Sequence, residues 1–226
     1  MIAALIVAAG QGVRMGSRRR KQYLTLGDRP ILTHTLQIFD GCRAIDRIAV
    51  AVPAQEIDFC RRTLTAGMTW RAPIAWIAGG ERRQDSVYNG LQALGAEDGI
   101  VLIHDGVRPL ITAALIERCI QGAQRWGACI PVVPVTDTLK RVGSDGTVER
   151  TVSRERLSMA QTPQAFRLSL ILEAHRQARQ NDWQATDDAS LVERLGAGVH
   201  VVAGSANNIK ITTPEDLRWA EVLLDS

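Results

Sequence analysis

Aromatic side chains are scarce in this chain, where Phe, Trp and Tyr make up 4% of 226 residues, and charge of one sign hardly dominates, the formal net charge being +3. A broad basic surface interleaved with stacking rings is therefore missing, which argues against nucleic acid as the main partner. Cysteine is sparse as well. Cys42, Cys60, Cys119 and Cys129 show no C-x-x-C spacing and sit among apolar neighbours, the setting of small buried thiols rather than of metal ligands or bridges. No apolar run reaches the roughly 20 residues needed to span a bilayer. The opening MIAALIVAAG is not preceded by the Lys or Arg of a secretory leader and ends in glycines rather than a clear cleavage site. The expectation is a globular protein of the reducing cytoplasm, with no membrane contact.

What is present is a hydrophobic fraction of 46%, enough to build a sizeable core in a single domain over residues 1–226. Short apolar runs at Ile2 to Ala8, Arg47 to Val52, Ile74 to Ala78, Ile100 to His104 and Ala128 to Val133 read as buried strands. Helix-period segments alternate with them. Pro30 suits a first helical position, with Leu32, Leu36 and Phe39 on one face behind it. Val87, Leu91 and Leu94 follow Asp85 and Ser86; Thr112 caps a helix carrying Leu115, Ile116, Cys119, Ile120 and Ala123; and Thr213 caps a last helix opened by Pro214, Glu215 and Asp216. The alternation predicts an α/β fold, a mostly parallel sheet covered by helices on both faces.

The rhythm breaks between Asp137 and Arg156, where TLKRV and TVERTV flank Gly143-Ser144-Asp145-Gly146. This reads as a two-stranded hairpin, an arm over about residues 136–157. A lone hairpin is marginal in water, so the arm leans either on a second copy of the chain or on its own domain.

Ligand-binding signals begin at LIVAAGQGVRMGSRRRKQY, Leu5 to Tyr23. A dinucleotide fingerprint needs Gly-x-Gly-x-x-Gly, but Met15 fills the third glycine's place and Gly16 comes one residue late. The triphosphate-binding Gly-x-x-x-x-Gly-Lys-Ser/Thr is absent too. What remains is a small-residue loop followed by Arg14, Arg18, Arg19, Arg20 and Lys21, suited to a polyphosphate or, equally on composition, a plain basic turn. His104-Asp105-Gly106-Val107-Arg108-Pro109 leaves a strand at the sheet's carboxyl edge, where Asp105 can hold Mg²⁺ or a ribose hydroxyl, or simply pair with Arg108. His104 reads as a satisfied core histidine. Asn207 to Thr212 reads as a strand-like run carrying Lys210.

AAGQGVRMG, KQY, GGERRQDSV, HDGVRP, Asp137-Thr138, Thr162-Pro163-Gln164, Thr186-Asp187-Asp188-Ala189 and NIKIT-x-PEDL follow in this order between Ile2 and Leu224. In this ordered set the chain resembles the 2-C-methyl-D-erythritol 4-phosphate cytidylyltransferase family of the non-mevalonate isoprenoid pathway. The resemblance implies a Rossmann-like nucleotidyltransferase fold, a homodimer joined through the hairpin arm, and CMP transfer from CTP to methylerythritol phosphate with Mg²⁺. It implies that Arg14 and Lys21 stabilise the α-phosphate, that Arg154 and Lys210 hold the alcohol phosphate, and that Ala8, Ala9, Gly10, Gly12, Gly80 and Ser86 surround the cytidine. Asp105 is then the metal or ribose contact, and Arg108, Thr138 and Thr186 are substrate contacts. Three positions depart from the family pattern: Arg20 stands where a proline is common, Asn207 where some members have Asp, and Gly106-Val107 in place of two alanines. Ribitol 5-phosphate cytidylyltransferases share the architecture and the CTP chemistry and stay the alternative.

Overall fold

The computed structural model describes residues 1–10, 20–95 and 98–224. In chain order its elements are β1 (Ile2–Val7), β2 (Thr25–Leu26), β3 (Arg29–Pro30), α1 (Ile31–Gly41), β4 (Arg47–Val52), α2 (Ile57–Thr63), β5 (Ile74–Ala78), α3 (Arg83–Leu94), β6 (Ile100–Asp105), α4 (Ala113–Trp126) and β7 (Ala128–Pro134). There follow β8 (Leu139–Val142), β9 (Val148–Val152), β10 (Ser158–Ala160), β11 (Gln164–Arg167), α5 (Leu168–Gln180), α6 (Ala189–Arg194), β12 (His200–Ala203) and α7 (Pro214–Leu224). The main sheet runs β7, β11, β6, β1, β4, β5, with β10 continuing along the β11 edge of β7 and β12 on the opposite edge. β1 pairs in parallel with both β4 and β6, and β12 with β7, while β11 is antiparallel to β6 and β7.

Alternation along the central strands explains the two-sided core, because successive side chains leave opposite faces of a sheet. Ala4, Ile6, Ile48, Val50, Val52 and Leu102 meet Leu36 and Phe39 of α1 and Leu115, Cys119 and Ala123 of α4. Ala3, Leu5, Ala49, Val101 and Ile103 meet Val87 and Leu91 of α3, Ile171 and Leu172 of α5, and Leu191 of α6. α1 and α2 thus cover one face and α3 the other. The connections from β1 outward to β5 lie on the first face and the return to β6 crosses the second, so the chain changes direction between β1 and β6. Open α/β sheets bind ligands in the crevice at that switch.

All four cysteines are free and buried; burial pushes the Cys119 thiol up to about 12 and Cys129 up to about 11. The five expected strands appear, the first ending one residue early and two of the others extending by one. Thr112 caps α4 by accepting from the Leu115 N–H, and Thr213 Oγ1 accepts from the Asp216 N–H ahead of α7. Pro30 is corrected by one place. Its ψ of 144° is extended, it pairs with Thr25 in the β2–β3 ladder, and Ile31, whose N–H goes to the Leu24 carbonyl, opens α1. α3 starts at Arg83 and buries the expected face of Val87, Leu91 and Leu94, and Asp85 supplies the cap by reaching back to the Arg82 N–H. Asn207 to Thr212 forms no strand. β8 and β9 pair antiparallel as a sheet of their own, the predicted hairpin.

Candidate active site

A cleft of about 530 Å³ opens at the carboxyl ends of β1, β4, β5 and β6. Its floor depends on close backbone approach. A Cβ on Gly79 would stand 2.3 Å from the Ala9 Cβ, and one on Gly80 would stand 2.4 Å from the Asp85 Cβ, so only glycines let the β5 exit lie against the β1 exit and the start of α3. Ser86 holds this turn: its hydroxyl accepts from the Gly80 N–H at 3.0 Å and donates to the Arg82 carbonyl at 3.2 Å. On the opposite wall, the buried Gln22 amide donates to the Ala8 carbonyl at 2.6 Å, which ties the one-turn helix Lys21–Tyr23 to the end of β1.

Asp105 is the electrostatic centre. It ends β6 opposite Val7 of β1, and its two oxygens face three cations: Arg83 Nε lies 3.2 Å from Oδ1, Lys210 Nζ 2.8 Å from Oδ2 and Arg108 Nε 3.8 Å from Oδ2. Burial alone would push this carboxyl up; the Arg83, Lys210 and Arg108 cations outweigh it and hold it well below the usual carboxylate range. Arg83 also places Nη1 2.7 Å from Asp188 Oδ2, and His175 Nε2 sits 3.1 Å from the other Asp188 oxygen. The N–H groups of Asp188 and Ala189 both donate to Gln164 Oε1, at 3.0 and 2.9 Å, which fastens the Thr186 to Ala189 motif to β11.

His104 works from behind. It is fully buried, with Nε2 3.2 Å from the Arg108 carbonyl and Nδ1 3.0 Å from the Thr162 hydroxyl. A carbonyl only accepts, so Nε2 carries the proton and Nδ1 accepts from Thr162, whose oxygen in turn accepts from the Asp105 N–H at 3.1 Å. Burial holds this imidazole down at about 4. It is the satisfied core histidine the sequence implied, and it fixes the backbone of Asp105.

Of the residues singled out from the sequence, Ala8, Ala9, Gly10, Lys21, Gly80, Ser86, Asp105 and Lys210 line the cleft. Arg108 sits beside Asp105 and donates to the Asn208 carbonyl at 2.6 Å. Thr138, Arg154 and Thr186 are exposed and are not among the lining residues; the Arg154 guanidinium contacts the Thr136 carbonyl. Arg14 and Gly12 lie outside the described residues. Sequence reasoning missed Arg83, Asp188 and Gln22 as site residues, and it left Arg20 between a phosphate contact and a plain basic turn. Arg20 lines the cleft and pairs with Glu56 at 2.8 Å.

For a hard cation the donor set is lean. Among the described residues no three or more His, Cys, Asp or Glu side chains converge. Asp105 and Glu81 are the carboxylates among the lining residues, a set that fits an ion such as Mg²⁺ that keeps most of its shell for phosphate oxygens and water.

A doubly wound sheet with a cation-lined cleft at its switch point defines a Rossmann-like, nucleotide-binding α/β protein. The family model of IspD, 2-C-methyl-D-erythritol 4-phosphate cytidylyltransferase, matches residues 2–226. Enzymes so named from Pelotomaculum thermopropionicum and Syntrophotalea carbinolica are 50% and 53% identical, over 99% and 100% of this chain and 94% and 97% of their own length. The crystal structure of a 4-diphosphocytidyl-2C-methyl-D-erythritol synthase from Anaerococcus prevotii superimposes with a TM-score of 0.86 at 31% identity, covering 100% of this chain and 98% of that one. The chain belongs to the 2-C-methyl-D-erythritol 4-phosphate cytidylyltransferase family.

Proposed function

We infer that this chain transfers CMP from CTP to 2-C-methyl-D-erythritol 4-phosphate, releasing pyrophosphate. The observation that carries the reading is the convergence of Lys21, Lys210 and Asp105 on one cleft, in a chain whose family match runs nearly end to end. An oxygen of the alcohol phosphate attacks the α-phosphorus of CTP, the bond from that phosphorus to the bridging oxygen of the β-phosphate breaks, and both electrons leave with pyrophosphate. The nucleophile is already ionised at neutral pH, so no general base is required. The residues' work is to align two anions and to stabilise charge as it shifts.

In this reading Lys21, with Arg14, stabilises the α-phosphate. Lys210 and Arg154 hold the alcohol phosphate in line, and Arg108, Thr138 and Thr186 meet the substrate. Ala8, Ala9, Gly10, Gly12, Gly80 and Ser86 enclose the cytidine, where small side chains leave backbone groups open to a base edge. Asp105 would hold Mg²⁺, which would supply further neutralisation of the phosphate charge. Arg154 and Thr186, exposed in one subunit, complete the site of a second subunit through exchange of the hairpin arm. Support for that homodimer comes from Val142 and Val148 on the arm and Met159 beside it, which are 55%, 59% and 52% exposed. No helix among the described residues is long and apolar enough to cross a membrane, and the four free thiols agree with a reducing cytoplasm.

Purified protein given CTP, Mg²⁺ and each alcohol phosphate, with pyrophosphate measured, tests the reading. Turnover of methylerythritol phosphate that stops when EDTA is added supports it, and turnover of ribitol phosphate alone overturns it. Light scattering of the eluting protein at about twice the 24.7 kDa chain mass supports the dimer; a monomer overturns it.

A further inference from the structure

Lys21 has neighbours on both sides that end on one carboxylate. Arg20 Nε donates to Glu56 Oε1 at 2.8 Å, and the Tyr23 hydroxyl donates to Glu56 Oε2 at 2.8 Å. Both oxygens of Glu56 are thus engaged, one on each side of the Lys21–Gln22 pair. The Tyr23 oxygen also lies 3.2 Å from Cys60 Sγ of α2, and its ring meets Phe59 edge-on at 5.4 Å. Glu56 stands on the one-turn helix Ala54–Glu56 directly after β4, so the contact joins the Lys21 turn to the β4 exit, as Gln22 joins it to the β1 exit. The ion pair is three-quarters shielded from solvent.

We propose that Glu56 is a positioning residue for this reaction, which by gripping Arg20 and Tyr23 together holds the Lys21 ammonium at the cleft; the inference rests on the functional reading above. Its logic is entropic. A one-turn helix has almost no stability of its own, and a long lysine side chain on a loose turn samples many positions for the few in which it meets a phosphate. Anchoring the flanking residues removes backbone freedom before the substrate arrives, and displacements of about 1 Å at such groups cost up to roughly a hundredfold in rate.

The backbone offers a second route to the same rigidity. Arg20 has φ −63° and ψ 140°, the φ that a proline ring imposes. Arg20 with Glu56 and a proline without Glu56 are then two ways of stiffening one residue, and the first is the one this chain uses.

The test compares wild type, Glu56→Ala, Arg20→Pro and the double variant by steady-state kinetics, equilibrium CTP binding and thermal unfolding. Glu56→Ala is expected to lose about tenfold or more in kcat with CTP affinity changed less than about threefold, and Arg20→Pro in that background to restore most of the kcat. Hydrogen exchange of the peptide containing residues 20–24 reads the same restraint without any substrate, and is expected to speed up in Glu56→Ala and slow again in the double variant. Unchanged kcat in Glu56→Ala overturns the proposal. So does a kcat loss that proline fails to recover while thermal stability returns. Should Glu56→Ala fail to fold, Tyr23→Phe, which removes one of the two grips, is read in the same way. A wild type inactive on CTP and methylerythritol phosphate would sink the functional reading, whereas the exchange measurement would still judge the restraint.

Discussion

The Lys210 ammonium rests 2.8 Å from the Asp105 carboxylate, at the mouth of the cleft. Lys210 lies on an irregular segment, is 39% exposed, and is held there by that pair while Ile211 anchors the backbone through its N–H to the Val107 carbonyl. Asp105 is buried, but Arg83 and Arg108 still face its carboxylate when Lys210 swings away, so the cation can turn to a substrate phosphate without leaving a buried charge unpaired. Lys210→Ala is expected to raise KM for the alcohol phosphate about tenfold or more while KM for CTP changes little, a difference that initial-rate kinetics in both substrates measures.

Lys21→Ala should show the opposite split. Its charge is asked to act on an α-phosphate whose negative charge rises in the transition state, so kcat should fall by roughly a hundredfold to a thousandfold and CTP binding by far less. Isothermal titration with CTP alongside turnover separates the two. Equal losses in both would return Lys21 to a role in ground-state binding.

Arg83 joins two buried carboxylates, Asp105 and Asp188, that belong to elements far apart in the chain. Arg83→Met would leave both with one cation fewer, and removing one partner of a buried pair costs about 3 kcal/mol or more. Urea unfolding should register that loss. Arg83→Lys should recover only part of it, since one ammonium cannot copy a guanidinium fork aimed at two acceptors.

His104 predicts an acid limit to stability. Its folded value of about 4 lies below the ordinary 6.5, so on acidification the unfolded chain takes up this proton first. The stability contributed is present above about 6.5, falls as the pH drops towards 4, and amounts to about 3 kcal/mol across that window. Unfolding free energies measured from pH 7 to pH 4 should therefore fall less steeply in His104→Gln than in the wild type. Parallel slopes would show that His104 is not the group responsible.

The sheet's central strands were legible because each is an unbroken apolar run, and the capping of α4 and α7 because Thr112 and Thr213 are local signals. β11 was not, since QAFR is only four residues long and holds its place through long-range pairing with β6 and β7. The site divides in the same way. Asp105, Lys21 and Lys210 stand in recognisable motifs, whereas nothing local in GGERRQDSV tells Arg82, which turns out to Asp85, from Arg83, which turns in to Asp105. The helix register decides that, and Asp85 sets it by capping α3 at Arg82. Nothing local shows what Arg20 does, because its partner, Glu56, lies 36 residues away.

The antiparallel strand β11 has a consequence for the order of assembly. β6 and β7 follow one another in the chain but are not neighbours in the sheet; the strand between them comes from a later stretch. During synthesis β1, β4, β5 and β6 can pair as soon as they emerge, whereas β6 keeps one edge open until Arg167 has been made. Thr162, which receives the Asp105 N–H, arrives on that same late stretch, and Lys210 later still. The growing chain therefore carries an unpaired strand edge and an unfinished cleft for much of its synthesis, an interval when the open edge is vulnerable to pairing with other chains.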